Sequence, residues 1–216
     1  MLTLYTYFRS SAAFRVRIAL NIKGLEYEPV VIWLPDGEQS GEPYRQLNPQ
    51  ALVPTLVDDG LRLSQSLAII EYLDETRGGP KLLPADPPGR ARVRSLSQLI
   101  ACDIHPIDNL RVLNYLRHEL HQPEQEVQRW YRHWVEIGLA AYERELEAGG
   151  TKRFSHGDEF SMADACLVPQ VFNARRFKVD LAPYPRTMAV FDACMALDAV
   201  VRAQPSAQPE TARAAG

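Results

Sequence analysis

The sequence predicts an α/β domain built on a mixed four-stranded sheet, followed by an all-helical domain. Three observations carry this prediction. Up to about residue 80, short β-branched and apolar runs alternate with helical patterns. Prolines then punctuate the chain from Leu82 to Pro88, as in a linker. Beyond them every segment has helical periodicity and no strand pattern returns. The 216 residues suffice for one large or two small domains with a sizeable core. The first domain is placed at 1–80 and the second at 88–202. The Ala/Pro/Gln-rich tail, 203–216, is expected to lack fixed structure.

In order, Leu2–Tyr5 reads as a strand, and Arg15 to Lys23 as a helix that Gly24 stops. Tyr27–Trp33 is β-branched and aromatic, a second strand. Pro35 through Gly41 reads as a loop, followed by a short helix up to Asn48-Pro49. Thr55–Val57 and Leu61–Leu63 flank Asp58-Asp59-Gly60, a hairpin signal. Ser66–Thr76 is helical and ends before Gly78-Gly79-Pro80. The order β-α-β-α-β-β-α is satisfied by a mixed sheet with helices on both faces. Helical periodicity then covers Gly89–Leu120, Glu124–Leu146, Ser161–Phe177 and Pro185–Leu197. Ser161-Met162-Ala163-Asp164 reads as a capping box with Asp in place of Glu.

Composition excludes several classes. With 46% hydrophobic and 24% charged residues the chain is ordinary for a soluble globular protein. No apolar run approaches the roughly 18–20 residues of a membrane span, and the first twenty residues do not read as a signal peptide. A net charge of −3 gives no basic field for nucleic acid. Cys102, Cys166 and Cys194 are odd in number and widely spaced, which points to a reducing, cytoplasmic compartment and buried thiols. His118 and His121 have no third ligand in view, so no metal site is expected. Trp130 and Trp134 read as packing, and Arg90, Arg92 and Arg94 as a solvated face or a contact surface.

The chemistry concentrates at three junctions. Arg9-Ser10-Ser11 lies where the first strand runs into a helix. A helix N-terminus exposes unpaired N–H groups and partial positive charge, so a hydroxyl there suits an anion. No cysteine stands at this turn, so an anionic sulfur must arrive on a cofactor. Leu52-Val53-Pro54-Thr55 enters the third strand. A cis bond at Pro54 would present the Val53 backbone to an extended ligand, whereas Pro54 alone is also compatible with an ordinary trans turn. Gln65-Ser66 opens the third helix, where a carboxylate would be favoured. One extended anionic peptide with a central thiol satisfies all three junctions, and glutathione has that form.

The motifs Ser10-Ser11-x-x-x-Arg15-Val16-Arg17-Ile18-Ala19-Leu20, Leu52-Val53-Pro54-Thr55-Leu56 and the run Gln65–Leu73 resemble those of zeta-class glutathione transferases. So do Leu82-Leu83-Pro84-Ala85-Asp86, Asp103-Ile104-His105-Pro106, Leu167-Val168-Pro169-Gln170 and Arg176–Leu181, covering the chain to about residue 200. The resemblance implies a thioredoxin-like domain plus a helical domain (the GST fold), usually in a homodimer. It also implies a glutathione-dependent cis–trans isomerase acting on maleylacetoacetate or maleylpyruvate. It implies that Ser10 bonds the glutathione sulfur with Ser11 as a second donor, and that Val53 and Pro54 form a backbone clamp. Gln65 and Ser66 would hold the γ-glutamyl end, Gln39 the glycine end, and His105 and Asn109 would contact the cofactor. Arg9, Arg111 and Arg176 would hold a dicarboxylate substrate, with Arg9 also stabilising charge during reaction. Many members carry Cys after the two serines; here that residue is Ala12, which favours a mechanism using the cofactor thiol alone. Conjugation or dehalogenation of small haloacids, and non-catalytic glutathione binding, stay open as alternatives. A thioredoxin-type reductase is disfavoured.

Overall fold

The computed structural model describes residues 1–214. They form two compact units, 1–83 together with the C-terminal segment from Met195, and 84–194.

The first unit holds β1 (Leu2–Thr6), α1 (Ser11–Ile22), β2 (Glu28–Val31), α2 (Glu42–Leu47), β3 (Thr55–Asp58), β4 (Leu61–Ser64) and α3 (Ser66–Thr76). The sheet order is β2-β1-β3-β4, with β1 and β2 parallel and the other pairs antiparallel. Alternation along β1 explains its two faces. Leu2 and Leu4 are buried, and α1 and α3 pack together with Ile18, Leu20, Ile69 and Ile70 all inaccessible. Tyr5 points the other way, its ring 6.0 Å from Tyr44 of α2. The β3–β4 turn has Asp59 at φ 46° and Gly60 at φ 89°, the two left-handed residues of a tight hairpin. Gly24 ends α1 at φ 66°, where Leu25 N–H reaches the Leu20 carbonyl.

The second unit holds α4 (Pro87–Gln98), α5 (His105–Asp108), α6 (Leu110–His118), α7 (Glu124–Glu147), α8 (Met162–Arg176) and α9 (Pro185–Met195). Asp86 caps α4 through Gly89 N–H at 2.7 Å. The expected capping box opens α8: Asp164 accepts from Ser161 N–H and from the Ser161 hydroxyl, both at 2.8 Å. Among the described residues no helix is long and apolar enough to cross a membrane.

The structure corrects several expectations. The helix read over Gly89–Leu120 is broken. A π-turn spans Leu99–Ile104, with the His105 N–H bonded to Ile100, and the chain bends again at Asn109. Pro106 lacks an N–H and its ring crowds the preceding turn, which removes a bond from the α-helical ladder at the end of the π-turn. α1 starts at Ser11, one turn before Arg15, because Ser10 caps it. The expected loop Pro35–Gly41 contains two 3-10 turns, Leu34–Asp36 and Glu38–Ser40. The last helical pattern stops at Met195, and α10 (Asp198–Ala203) belongs to the first unit, against α1, rather than to a domain reaching 202. The tail expected to lack structure forms 3-10 turns over Pro205–Ala207 and Pro209–Ala214; residues 215–216 lie outside the described ones. Cys166 and Cys194 are buried, but Cys102 is exposed. Arg92 is neither solvated nor idle: it donates to the Ser155 carbonyl at 2.6 Å and to Thr151 at 3.1 Å.

Candidate active site

Strand register gathers the three junctions of the first unit. Tyr5 of β1 lies opposite Thr55 of β3, and Thr55 lies opposite Ser64 of β4. The turn leaving β1, the Val53-Pro54 bond entering β3 and the Gln65-Ser66 pair leaving β4 therefore share one end of the sheet. The Val53-Pro54 bond is cis, and both residues are buried.

At the first junction, the Ser10 N–H donates to the Tyr7 carbonyl at 2.9 Å, closing a tight turn. The Ser10 hydroxyl oxygen then accepts from the Ala13 N–H at 3.2 Å, as an N-cap. An oxygen that accepts in this way keeps its own proton for donation, and the accepted bond polarises it. Ser10 is half-buried, Ser11 is buried and Arg9 is exposed, its guanidinium 4.9 Å over the Phe8 ring. Of the two serines, Ser10 is the more accessible.

The second helix start is built differently. Gln65 sits at φ 69°, ψ 113°, with no side-chain cap on α3. A non-glycine residue held there costs about 1–3 kcal/mol and persists where the surroundings enforce it. Its amide donates to Gln50 at 2.8 Å. Ser66, buried, accepts from the Arg15 guanidinium at 3.3 Å. Unclaimed N–H groups at a helix start, beside a buried cation, fit a carboxylate. Gln39 is half-buried in the Glu38–Ser40 turn, and its side-chain oxygen has no partner among the described residues.

The remaining expected residues belong to the second unit. His105 opens α5, directly after the π-turn. Asn109 caps α6, its side-chain oxygen accepting from Arg111 and Val112 N–H at 3.1 and 3.3 Å, so only its amide NH₂ is left for a ligand. Arg111 and Arg176 are exposed, and Arg176 lies 5.6 Å over the Phe177 ring. Trp130 and Trp134 pack edge to face at 5.7 Å.

Sequence reasoning missed three buried polar residues. Arg15 and Arg17 on α1 are almost wholly inaccessible. Asp108 ends α5, 5% exposed, with neither carboxylate oxygen bonded among the described residues. Burial pushes its carboxyl up to about 8. The signal for the arginines was present: α1 is apolar all round, so cations in it had no polar face to occupy.

The fold has counterparts among known proteins. The family model described as "Glutathione S-transferase, N-terminal domain" matches residues 9–76, and its C-terminal counterpart matches residues 124–193. A probable maleylacetoacetate isomerase of Vibrio cholerae is 47% identical over 211 residues, 97% of this chain and 98% of the relative. A holo structure of a maleyl pyruvate isomerase, described as a bacterial zeta-class glutathione S-transferase, aligns with a TM-score of 0.93 at 48% identity, covering 96% and 99% of the two chains. The chain belongs to the zeta class of glutathione S-transferases. A maleylacetoacetate isomerase of Methylobacterium extorquens, solved with bound malonate and glutathione, aligns with a TM-score of 0.94 at 44% identity over 96% of this zeta-class chain and 98% of its own.

Proposed function

We propose that this protein is a glutathione-dependent cis–trans isomerase that converts a maleyl dicarboxylate, maleylacetoacetate or maleylpyruvate, to its fumaryl isomer. The observation that carries the reading is Ser10. It is a hydroxyl at a helix N-terminus, with its oxygen engaged by Ala13 N–H and its proton available, in a turn without cysteine. The relatives named for this reaction, and the one holding glutathione with a dicarboxylate, support it.

A carbon–carbon double bond does not turn until it loses its double-bond character. Bound glutathione would supply the nucleophilic thiolate that removes that character reversibly, so the thiol is not consumed. The protein's part is electrostatic. Ser10 donates its hydroxyl proton in a hydrogen bond to the sulfur, and the N-terminal field of α1 favours the ionised form. Gln65, Ser66 and the open N–H groups of α3 hold the γ-glutamyl carboxylate, with Arg15 beneath Ser66. The Val53 backbone flanks the peptide, Gln39 meets its glycine end, and His105 and Asn109 are further cofactor contacts. Arg9 stabilises the negative charge that develops on the substrate's carbonyl oxygen. Arg111 and Arg176 hold its carboxylates, each guanidinium matching a carboxylate fork. Ser11, being buried, has a supporting role. Three free cysteines suit a reducing cytoplasm, and a homodimer is the proposed assembly.

The test mixes purified protein with each maleyl substrate, with and without glutathione, and follows loss of the cis enone by absorbance. Turnover only with glutathione, and glutathione undiminished after many turnovers, is expected. Full turnover without any thiol would sink the reading, and stoichiometric loss of glutathione into product would replace it by conjugation.

A further inference from the structure

Arg17 is completely inaccessible, yet among the described residues its guanidinium donates to no carboxylate. It donates instead to four neutral oxygens: the Ala203 carbonyl at 3.1 Å, the Thr6 hydroxyl at 3.0 Å, the Tyr7 carbonyl at 3.3 Å and the Phe8 carbonyl at 3.0 Å. The Tyr7 carbonyl is the same oxygen that accepts the Ser10 N–H at 2.9 Å. Arg17 thus grips the inner side of the turn that Ser10 closes, and anchors it to the end of α10. The guanidinium also lies 5.4 Å over the Phe14 ring.

A buried charge with no carboxylate in hydrogen-bond contact is costly. Burial lowers the Arg17 pKa to about 10, with Tyr27 and then Glu210 opposing that effect through space. The group is therefore still a cation at neutral pH. A neutral side chain could satisfy some of these acceptors at lower desolvation cost. What it could not supply is a fixed positive charge bonded to the Phe8 carbonyl, two residues before Ser10, in surroundings that screen poorly. Arg9, the other cation of the turn, is exposed and screened by solvent.

We propose that Arg17 is a positioning residue for the thiol site: it holds the Tyr7–Ser10 turn through the Tyr7 and Phe8 carbonyls and ties it to Thr6 and Ala203, and its charge favours an ionised thiol at Ser10. The inference rests on the reading that the glutathione thiol binds at Ser10. Its step is proton release alone, with the thiol proton going to solvent and the electron pair staying on sulfur.

The experiment compares full-length wild type, Arg17→Gln and Arg17→Lys, each saturated with glutathione. Thiolate absorbance in the ultraviolet is titrated against pH, and glutathione affinity is measured by calorimetry. Arg17→Gln is expected to make the bound thiol about tenfold less acidic. Arg17→Lys keeps the charge but cannot span the four acceptors, so acidity is expected to stay within about twofold of wild type while affinity falls about fivefold. A folded Arg17→Gln that titrates as wild type overturns the proposal, as does Arg17→Lys losing as much acidity as Arg17→Gln. If circular dichroism shows Arg17→Gln unfolded, the lysine variant decides alone. Retained acidity with weaker binding supports the proposal, and lost acidity, or no change in either measurement, overturns it. Failure of the underlying reading looks different: wild type itself would bind no glutathione, or would bind it with the acidity of the free thiol.

Discussion

The turn Tyr7–Ser10 and the segment Leu99–Asn109 both interrupt regular structure, and they treat buried polar groups in opposite ways. In the first, the carbonyls of Tyr7 and Phe8 are taken up by Arg17, and the Ser10 oxygen by Ala13. In the second, a π-turn and a four-residue helix deliver Asp108 into the interior with neither oxygen bonded among the described residues. A saturated network holds one geometry, because each carbonyl that let go would be left unpaired in a dry interior. An acid without partners can only stay buried by keeping its proton. The contrast separates a framework built to hold a charge fixed from a place that excludes charge.

Four substitutions sharpen or break this contrast. The largest effect is expected at the saturated turn: Ser10→Ala removes the hydroxyl proton left for donation and lowers kcat by about 10–100-fold, with glutathione affinity changed less than about threefold. Near-normal turnover in the enone assay would take Ser10 out of the mechanism.

Asp108→Asn tests the other side. The folded-state pKa lies near 8, above the ordinary 3.8, because of burial. Below 3.8 the group is protonated folded and unfolded alike and carries no penalty. Between the two values only the unfolded chain releases the proton, so stability falls as pH rises through that window. The asparagine variant is expected to be more stable than wild type at pH 7, by about 1–2 kcal/mol, and to lose this slope. Chemical denaturation at pH 4.5 and pH 7.5 measures both, and an unchanged slope would show that Asp108 finds a partner.

Ser66→Ala removes the buried hydroxyl that Arg15 engages and is expected to weaken glutathione binding about tenfold, leaving kcat at saturation nearly intact. A loss confined to kcat would move Ser66 from the binding to the chemical role. The smallest effect belongs to Arg176→Ala. An exposed cation contributing ground-state binding is expected to raise KM for the dicarboxylate about threefold to fivefold with kcat unchanged. An unaltered KM would leave Arg176 outside the substrate site.

Much of the fold was legible where its signals are local. The hairpin at Asp58-Asp59-Gly60 needs two left-handed residues, and the pair present takes them. The stop at Gly24 and the capping box at Ser161 are likewise written within four residues of where they act. The long helix read over Gly89–Leu120 failed for the complementary reason. Periodicity persists across a π-turn, and Pro106 was the one mark of the break. The stretch up to residue 202 was assigned to the second domain because sequence proximity stood in for packing; α10, for which no helix was read, in fact lies against α1.

The sequence by itself determined the order of elements in the first unit, the helix start at Ser66, and the absence of cysteine from the turn after β1, since caps and composition act over one or two turns of chain. Only the tertiary structure decided that three distant junctions share one end of a sheet, that Arg17 closes on the turn ahead of Ser10 and on Ala203, and that Asp108 is buried without a hydrogen-bond partner among the described residues. Those outcomes depend on strand register and on burial. Both are set by residues far apart in the chain, and neither leaves a periodic trace in it.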